Sequence, residues 1–267
     1  MSVTLAASWV PRGELPRLQR YYPRLINLYQ SVAVAIPCEV DDEIVEGLRS
    51  LPNLRYIHAG FLSARHSVVE LALEADTEHI HYIDMDRLIR WVETRPDELE
   101  SAVERLQTVG TLIMGRTENA YNTHPQALHQ TEALANAALS HWFGAAMDFC
   151  AGSRGLSRSA AAYVLARSPR DMALRMDAEW AVLLKRGGFK VGYIEADGLD
   201  WESADQYQDR AANRERQRRL ADEYDQQAEH WALRVQVAQD ILQAGLEATR
   251  CDLEAVFDSV GNDPPHV

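Results

Sequence analysis

Cysteine is scarce in this chain of 267 residues. Only Cys38, Cys150 and Cys251 are present, and no two of them form a C-x-x-C pair. An odd number of isolated cysteines argues against a disulfide framework and against a structural zinc site. Unpaired cysteines are typical of a reducing compartment, and we therefore predict a cytoplasmic protein.

Long apolar runs and excess positive charge are also lacking. No stretch reaches about 18 consecutive apolar residues, and the N-terminus does not combine a charged start with a long apolar run. The sequence therefore predicts neither a membrane span nor an export signal. Lysine and arginine number 27 against 40 aspartates and glutamates, a net charge of −13. This balance repels nucleic-acid phosphates, so we expect no nucleic-acid partner.

Apolar residues make up 46% of the chain, enough for a substantial core. Short apolar runs at 3–9, 31–37, 54–58 and 79–83 alternate with segments of helical periodicity, which predicts the order βαβαβαβ. Parallel strands need crossover connections. We therefore predict an α/β fold with a mostly parallel central sheet and helices on both faces, in a Rossmann-like arrangement.

The remainder of the chain predicts fewer strands and longer helices. Helices are expected at 96–106, 126–143 and 176–186, and strands at 111–116 and 189–194. From Ala204 onward, glutamine, arginine, glutamate and alanine dominate, and apolar residues from Leu220 to Val256 recur at helical spacing, with Leu253 among them. We predict an α/β domain over 1–202 and a helical extension over 203–267, which packs on the domain or joins two copies in a homo-oligomer.

Ligands of open α/β sheets bind beyond the carboxyl ends of the strands. The residues at those predicted ends are Ser8, Pro37 to Glu39, His58 to Gly60 and Asp84 to Asp86. In an extended chain, Asp84 and Asp86 project to the same side, and their carboxylates are suitable ligands for Mg²⁺ or Mn²⁺. The alternative is a capped, solvated strand end.

Several motifs occur in the order typical of one enzyme family. The segment GFLSARHSVVELALEADTEHIHYIDMD resembles the region of nucleotide-sugar glycosyltransferases that ends in D-x-D. TLIMGR, AMDFCAGSRGLSRSAAAYVL and MDAEWAVLLKRGGFKVGYIE follow, as in the inverting family-2, dolichyl-phosphate-mannose-synthase-like branch. The resemblance spans residues 3–202. It implies a GT-A fold and metal-dependent transfer of a sugar from a nucleoside diphosphate to an acceptor hydroxyl, with inversion.

The resemblance also implies site residues. The nucleotide sugar is expected at Ser8, Pro37, Glu39, Arg65, Asp84 and Asp86, with the divalent metal on Asp84 and Asp86. The general base is expected to be Glu179, with Asp177 as second choice; alternatively, both acids only stabilise the start of a helix.

Three further residues are candidates for the acceptor side. Gly152 and Arg154 would allow close approach and binding of an anionic group, unless they form a plain turn. Trp201 would stack on a sugar, unless it is packed in the core.

Two other functions compete with sugar transfer. The runner-up is a non-catalytic nucleotide-sugar-binding or scaffold protein that retains the fold. A nucleotidyltransferase is less favoured, because no glycine-rich phosphate loop with a lysine or arginine follows the first strand.

Overall fold

A computed structural model describes residues 2–170 and 174–250. Its centre is a seven-stranded sheet in the order β3-β2-β1-β4-β6-β5-β7. The strands are β1 (Val3–Ser8), β2 (Ser31–Ile36), β3 (Leu54–His58), β4 (His79–Asp84), β5 (Thr111–Arg116), β6 (Ser153–Ser157) and β7 (Gly192–Ala196). Only β6 runs antiparallel to its neighbours. The predicted α/β fold with a mostly parallel sheet is confirmed.

The first half of the chain follows the predicted alternation. Crossovers between its strands contain α1 (Leu15–Leu28), α2 (Asp42–Arg49) and α3 (Ala64–Leu73). The strands β1, β2 and β4 are almost fully buried, because helices cover both faces of the sheet at its centre. Their sequences are accordingly continuous apolar runs rather than alternating ones.

Two helices connect β4 to β5. Helix α4 (Met85–Thr94) begins directly after β4, and α5 (Pro96–Val109) follows it. The sequence analysis did not predict α4. Its apolar face, which includes the fully buried Leu88 and Trp91, packs into the main core beneath the sheet. Helix α5 ends at Gly110, whose φ of 78° is the left-handed conformation of a glycine C-cap.

The second half is richer in helix. It contains α6 (Glu118–Tyr121), α7 (Gln126–Phe143), α8 (Arg158–Leu165), α9 (Met176–Arg186), α10 (Arg214–Asp225) and α11 (Ala228–Arg250). The prediction for 126–143 is confirmed, while the predicted strand at 189–194 is found at Gly192–Ala196. Strand β6 was not predicted; it forms where a glycine-bearing segment is inserted between β4 and β5.

The C-terminal helices pack on the domain. Ala238 and Ile241 of α11 share a core cluster with Ala178 of α9 and Phe149. Val235 and Leu246, which belong to the predicted apolar stripe, are 55% and 44% exposed. Leu253 and Val256 lie outside the described residues.

Among the helices within residues 2–170 and 174–250, none combines the length and the apolar content that a membrane span needs.

Candidate functional site

The carboxyl ends of the central strands open into a cavity of about 200 Å³. Strand β1 lies between β2 and β4, so the order of the sheet reverses here, which is the usual position of a ligand site in such sheets. A second cavity of about 630 Å³ continues from it. Both are lined by Arg12, Phe61, Arg65, Asp84, Asp86 and Glu202.

Asp84, at the end of β4, is fixed by three neighbours. The Ser8 hydroxyl donates a hydrogen bond of 2.6 Å and the Tyr82 hydroxyl one of 2.8 Å to Oδ1. Nη2 of Arg65 lies 3.5 Å from Oδ2. Burial alone would raise the pKa of Asp84, but the positive charges of Arg65 and Arg87 and these hydrogen bonds hold it below its usual value. Asp84 is therefore a pre-oriented, ionised carboxylate.

Asp86 lies in the first turn of α4, so the expectation of an extended D-x-D segment is wrong. Asp84 occupies the N-cap position with φ −70° and ψ 138°, and the helix begins at Met85. Both carboxylates nevertheless line the same cavity, because the turn brings Asp86 round to it. Burial, together with the negative charges of Glu202 and Asp84, raises the pKa of Asp86 to about 7.

Arg87 contacts two separate segments at the site, one at Glu202 and one at Ala151. Its Nη2 lies 3.2 Å from Oε1 of Glu202, and its Nη1 donates to the carbonyl of Ala151. Gly152 follows with φ 69°, and a Cβ there would lie 2.8 Å from Nη1 of Arg87. The glycine thus provides both the backbone conformation and the space for the guanidinium. Sequence reasoning missed Arg87 and Glu202, which lie 115 residues apart.

Asp177 lines the larger cavity from the first turn of α9. Its side chain is 7% exposed, and Nη2 of Arg154 lies 3.9 Å from Oδ1. Burial raises the pKa of Asp177 to about 6, although Arg154 and Arg65 act in the opposite direction. A carboxyl group with such a pKa is suited to accept a proton near neutral pH.

Glu179, the preferred base of the sequence analysis, lies elsewhere. It is 2% exposed and does not line either cavity. Nε of Arg175 donates to Oε1 over 2.5 Å, and the Ser168 hydroxyl donates to Oε2. Ser168 also contacts His66 over 2.8 Å. The preference for Glu179 is therefore corrected: its carboxylate belongs to a buried polar network that holds α9.

The remaining predicted residues are only partly brought together. Pro37 lines the smaller cavity, whereas Glu39 is exposed beside a neighbouring pocket. Gly152 and Trp201 line the larger cavity, and Trp201 is also packed in a small apolar cluster. Arg154 is 2% exposed and lines neither cavity, contrary to the expectation that it binds an acceptor.

The environment of Arg154 explains its position. Its Nη1 donates to the Ser153 carbonyl over 2.7 Å, and its Nη2 donates to the Asp177 carbonyl over 2.9 Å. Burial lowers the pKa of Arg154 despite the nearby carboxylates. The guanidinium therefore fixes the backbone of Asp177 and does not itself line the cavity.

Helix α11 forms an outer wall that the sequence analysis did not assign to the site. Leu233, Val237 and Ile241 of this helix line the larger cavity. The four-residue spacing of these apolar residues was readable in the sequence, but the helix face that meets the cavity was not.

Solved structures share this fold at low sequence identity. Glucosyl-3-phosphoglycerate synthase from Mycobacterium tuberculosis, in complex with Mn²⁺, UDP-glucose and phosphoglyceric acid, matches with a TM-score of 0.52 and 10% identity, covering 94% of this chain and 80% of that one. The same enzyme in complex with UDP matches with a TM-score of 0.50 and 11% identity, covering 94% and 81%. No model of a known protein family matches the chain, and no curated protein matches its sequence. The chain thus shares the α/β fold of these structures, with its mostly parallel central sheet.

Proposed function

We propose that this protein transfers a sugar from a nucleoside diphosphate donor to an acceptor hydroxyl. The observation that carries the proposal is the pair of joined cavities, with Asp84 and Asp86 where they meet and Asp177 in the larger one. With a divalent cation between them and the phosphates, Asp84 and Asp86 suit the binding of a diphosphate, and Asp177 suits the removal of a proton. The fold shared with a UDP-glucose-binding glycosyltransferase supports the same conclusion.

A divalent cation, Mg²⁺ or Mn²⁺, fits this site with a restricted ligand set. No group of three or more His, Cys, Asp or Glu side chains suited to a metal occurs among residues 2–170 and 174–250. Mg²⁺ at phosphate sites is commonly held by one or two carboxylates, with phosphate and water completing its shell. Asp84 and Asp86 supply those two. The pKa of Asp86 is raised by burial and then by the negative charges of Glu202 and Asp84, and a bound cation would favour its ionised form.

The chain's own residues then have distinct tasks. Ser8 and Tyr82 hold Asp84 in one orientation, and Arg65 adds positive charge beside it. When bound, the cation would stabilise the negative charge of the departing diphosphate. Asp177 accepts the proton of the acceptor hydroxyl while the oxygen bonds to the anomeric carbon. Single displacement by this route inverts the anomeric centre.

Other aspects of the sequence-based hypothesis stay predictions. They are the dolichyl-phosphate-mannose-synthase-like branch, the cytoplasmic location, the boundary between 1–202 and 203–267, and a homo-oligomer formed through the C-terminal helices. The binding or scaffold alternative differs from the proposal in one measurable respect: it binds donor without consuming it.

Donor titration tests the proposal directly. We expect calorimetry with a panel of UDP-, GDP- and ADP-sugars to show binding to at least one donor that strengthens with Mn²⁺. Asp86→Ala should weaken this metal-dependent binding by about 100-fold, as losing one of two protein ligands implies. Asp97→Ala is the matched control, because Asp97 is an exposed acid in the first turn of the next helix. Unchanged binding in Asp86→Ala would contradict the metal assignment.

A further inference from the structure

Helix α11 lines the larger cavity with three apolar side chains and, beside them, Arg234 and Asp240. Leu233, Val237 and Ile241 are spaced four residues apart and therefore lie on one face of the helix. Ile241 is buried in the core, while Leu233 remains 54% exposed. An apolar surface thus runs from the base of the cavity to its mouth.

The loop after β3 supplies apolar side chains to the same cavity. Phe61 is 67% exposed and Leu62 is 50% exposed. Soluble proteins seldom leave several large apolar side chains exposed together without a binding role. A ligand that contacts Leu233 and this loop would remove apolar surface from water on both sides.

Charges in the larger cavity are largely compensated. Arg116 lies 2.7 Å from both Asp148 and Glu132. Arg87 pairs with Glu202, and Arg65 pairs with Asp84. The lining contains five arginines and six carboxylates in all. Such a cavity offers no net positive charge to attract an anionic acceptor.

We propose that the acceptor is an uncharged amphiphile, a hydroxyl compound that carries an alkyl or aryl group. The inference rests on the proposed function and specifies its acceptor class. The hydroxyl lies toward Asp177, and the apolar group lies against Leu233 and the Phe61–Leu62 loop. A volume of about 630 Å³ is sufficient for a molecule of this size.

Calorimetric titration of the full chain with three probes tests the acceptor class. The probes are n-octyl β-D-glucoside below its critical micelle concentration, methyl β-D-glucoside, and phosphoglyceric acid. We expect the octyl compound to bind at least about tenfold more tightly than the methyl compound, because burying part of the alkyl chain is favourable. Leu233→Gln should weaken octyl glucoside binding about fivefold. The substitution is at a half-exposed position, so the fold should tolerate it.

Leu134→Gln is the control, since Leu134 is 68% exposed on α7 and lines a different apolar groove. Equal binding of the two glucosides, tighter binding of phosphoglyceric acid, or a loss in Leu134→Gln rather than in Leu233→Gln would overturn the proposal. The titrations contain neither donor nor metal. A protein that binds octyl glucoside through Leu233 but no nucleotide sugar would therefore contradict the proposed function while leaving this binding site in place.

Discussion

The two sides of the joined cavities are assembled differently. On the first side, Ser8 and Asp84 come from the ends of adjacent parallel strands. On the second, Asp177 comes from α9, Glu202 from a 3₁₀ turn and Leu233 from α11. The first side thus follows from local sequence patterns and the geometry of a parallel sheet, whereas the second depends on how distant helices pack.

The two sides also differ in electrostatics. The pKa of Asp86 is raised by burial and by the negative charges of Glu202 and Asp84, which Arg87 only partly offsets. Asp177 lies close to an arginine, so its raised pKa reflects burial that the arginine only partly offsets. The first environment favours a cation, and the second favours a carboxylate that can exchange a proton. Substitutions on α9 and at Gly152 can test whether the two sides have these separate roles.

The largest expected effect follows from Asp177→Asn. The amide keeps the size of the side chain but accepts no proton, so the rate of sugar transfer should fall by about 10²- to 10⁴-fold. Donor affinity should stay within about twofold, because the donor is assigned to the other side of the cavity. Initial rates and calorimetric donor titration measure the two quantities. Full turnover in this variant would remove Asp177 as the base.

Glu179→Gln should affect stability instead. Arg175 would lose its contact with the buried Glu179 carboxylate at 2.5 Å and retain the exposed Glu247 at 2.7 Å. The free energy of unfolding should fall by about 3 kcal/mol, at the lower end for a broken buried ion pair. Urea unfolding gives this value, and turnover per folded molecule should be preserved. A stable but inactive variant would return the catalytic role to Glu179.

The choice between these two acids shows the limit of the sequence. Both lie in the first turn of α9, two residues apart, and therefore project roughly 200° apart around the helix axis. The segment MDAEWAVLLKRGGFKVGYIE predicted a catalytic carboxylate on this helix. Which face of α9 meets the cavity is determined only by the packing of the helix against the sheet. Arg154 is a similar case, because its position beneath Asp177 depends on the pairing of β6.

The fold was predictable where patterns are local. The strands β1, β2 and β4 are apolar runs bounded by turns, and they were found as predicted. Strand β6 has the sequence SRGLS, without the β-branched residues that indicate a strand. It exists because it pairs with β4 on one side and β5 on the other. Helix α4 was missed because its first turn was interpreted as an extended metal-binding segment.

The pH dependence of transfer should report on Asp177, on the second side of the cavities, and not on the first side around Asp84. Because the pKa of Asp177 is raised to about 6, the base is protonated below that pH and ionised above it. The value of kcat/KM should therefore rise about tenfold per pH unit below about pH 6 and level off above it. The profile is measured with saturating Mn²⁺ at each pH, because the bound cation keeps Asp86, whose own pKa is about 7, ionised. Asp177→Asn should then lack this rise. A rise of the same shape in Asp177→Asn would assign the titration to another group.

The smallest expected effect is that of Gly152→Ala, and it tests whether Arg87 links the two sides. The substitution adds a Cβ to a residue whose backbone is left-handed, with φ 69°. This Cβ would lie 2.8 Å from Nη1 of Arg87. Gly144→Ala is a matched control, since Gly144 has φ 78° and no atom within 4 Å of the new Cβ. Both variants should lose about 1 kcal/mol of stability from backbone strain, as measured by urea unfolding. Only Gly152→Ala should also weaken donor binding, by about threefold, because Arg87 must move away from Ala151 and Glu202. Equal donor affinities in the two variants would show that the Arg87 contacts contribute nothing to the donor side.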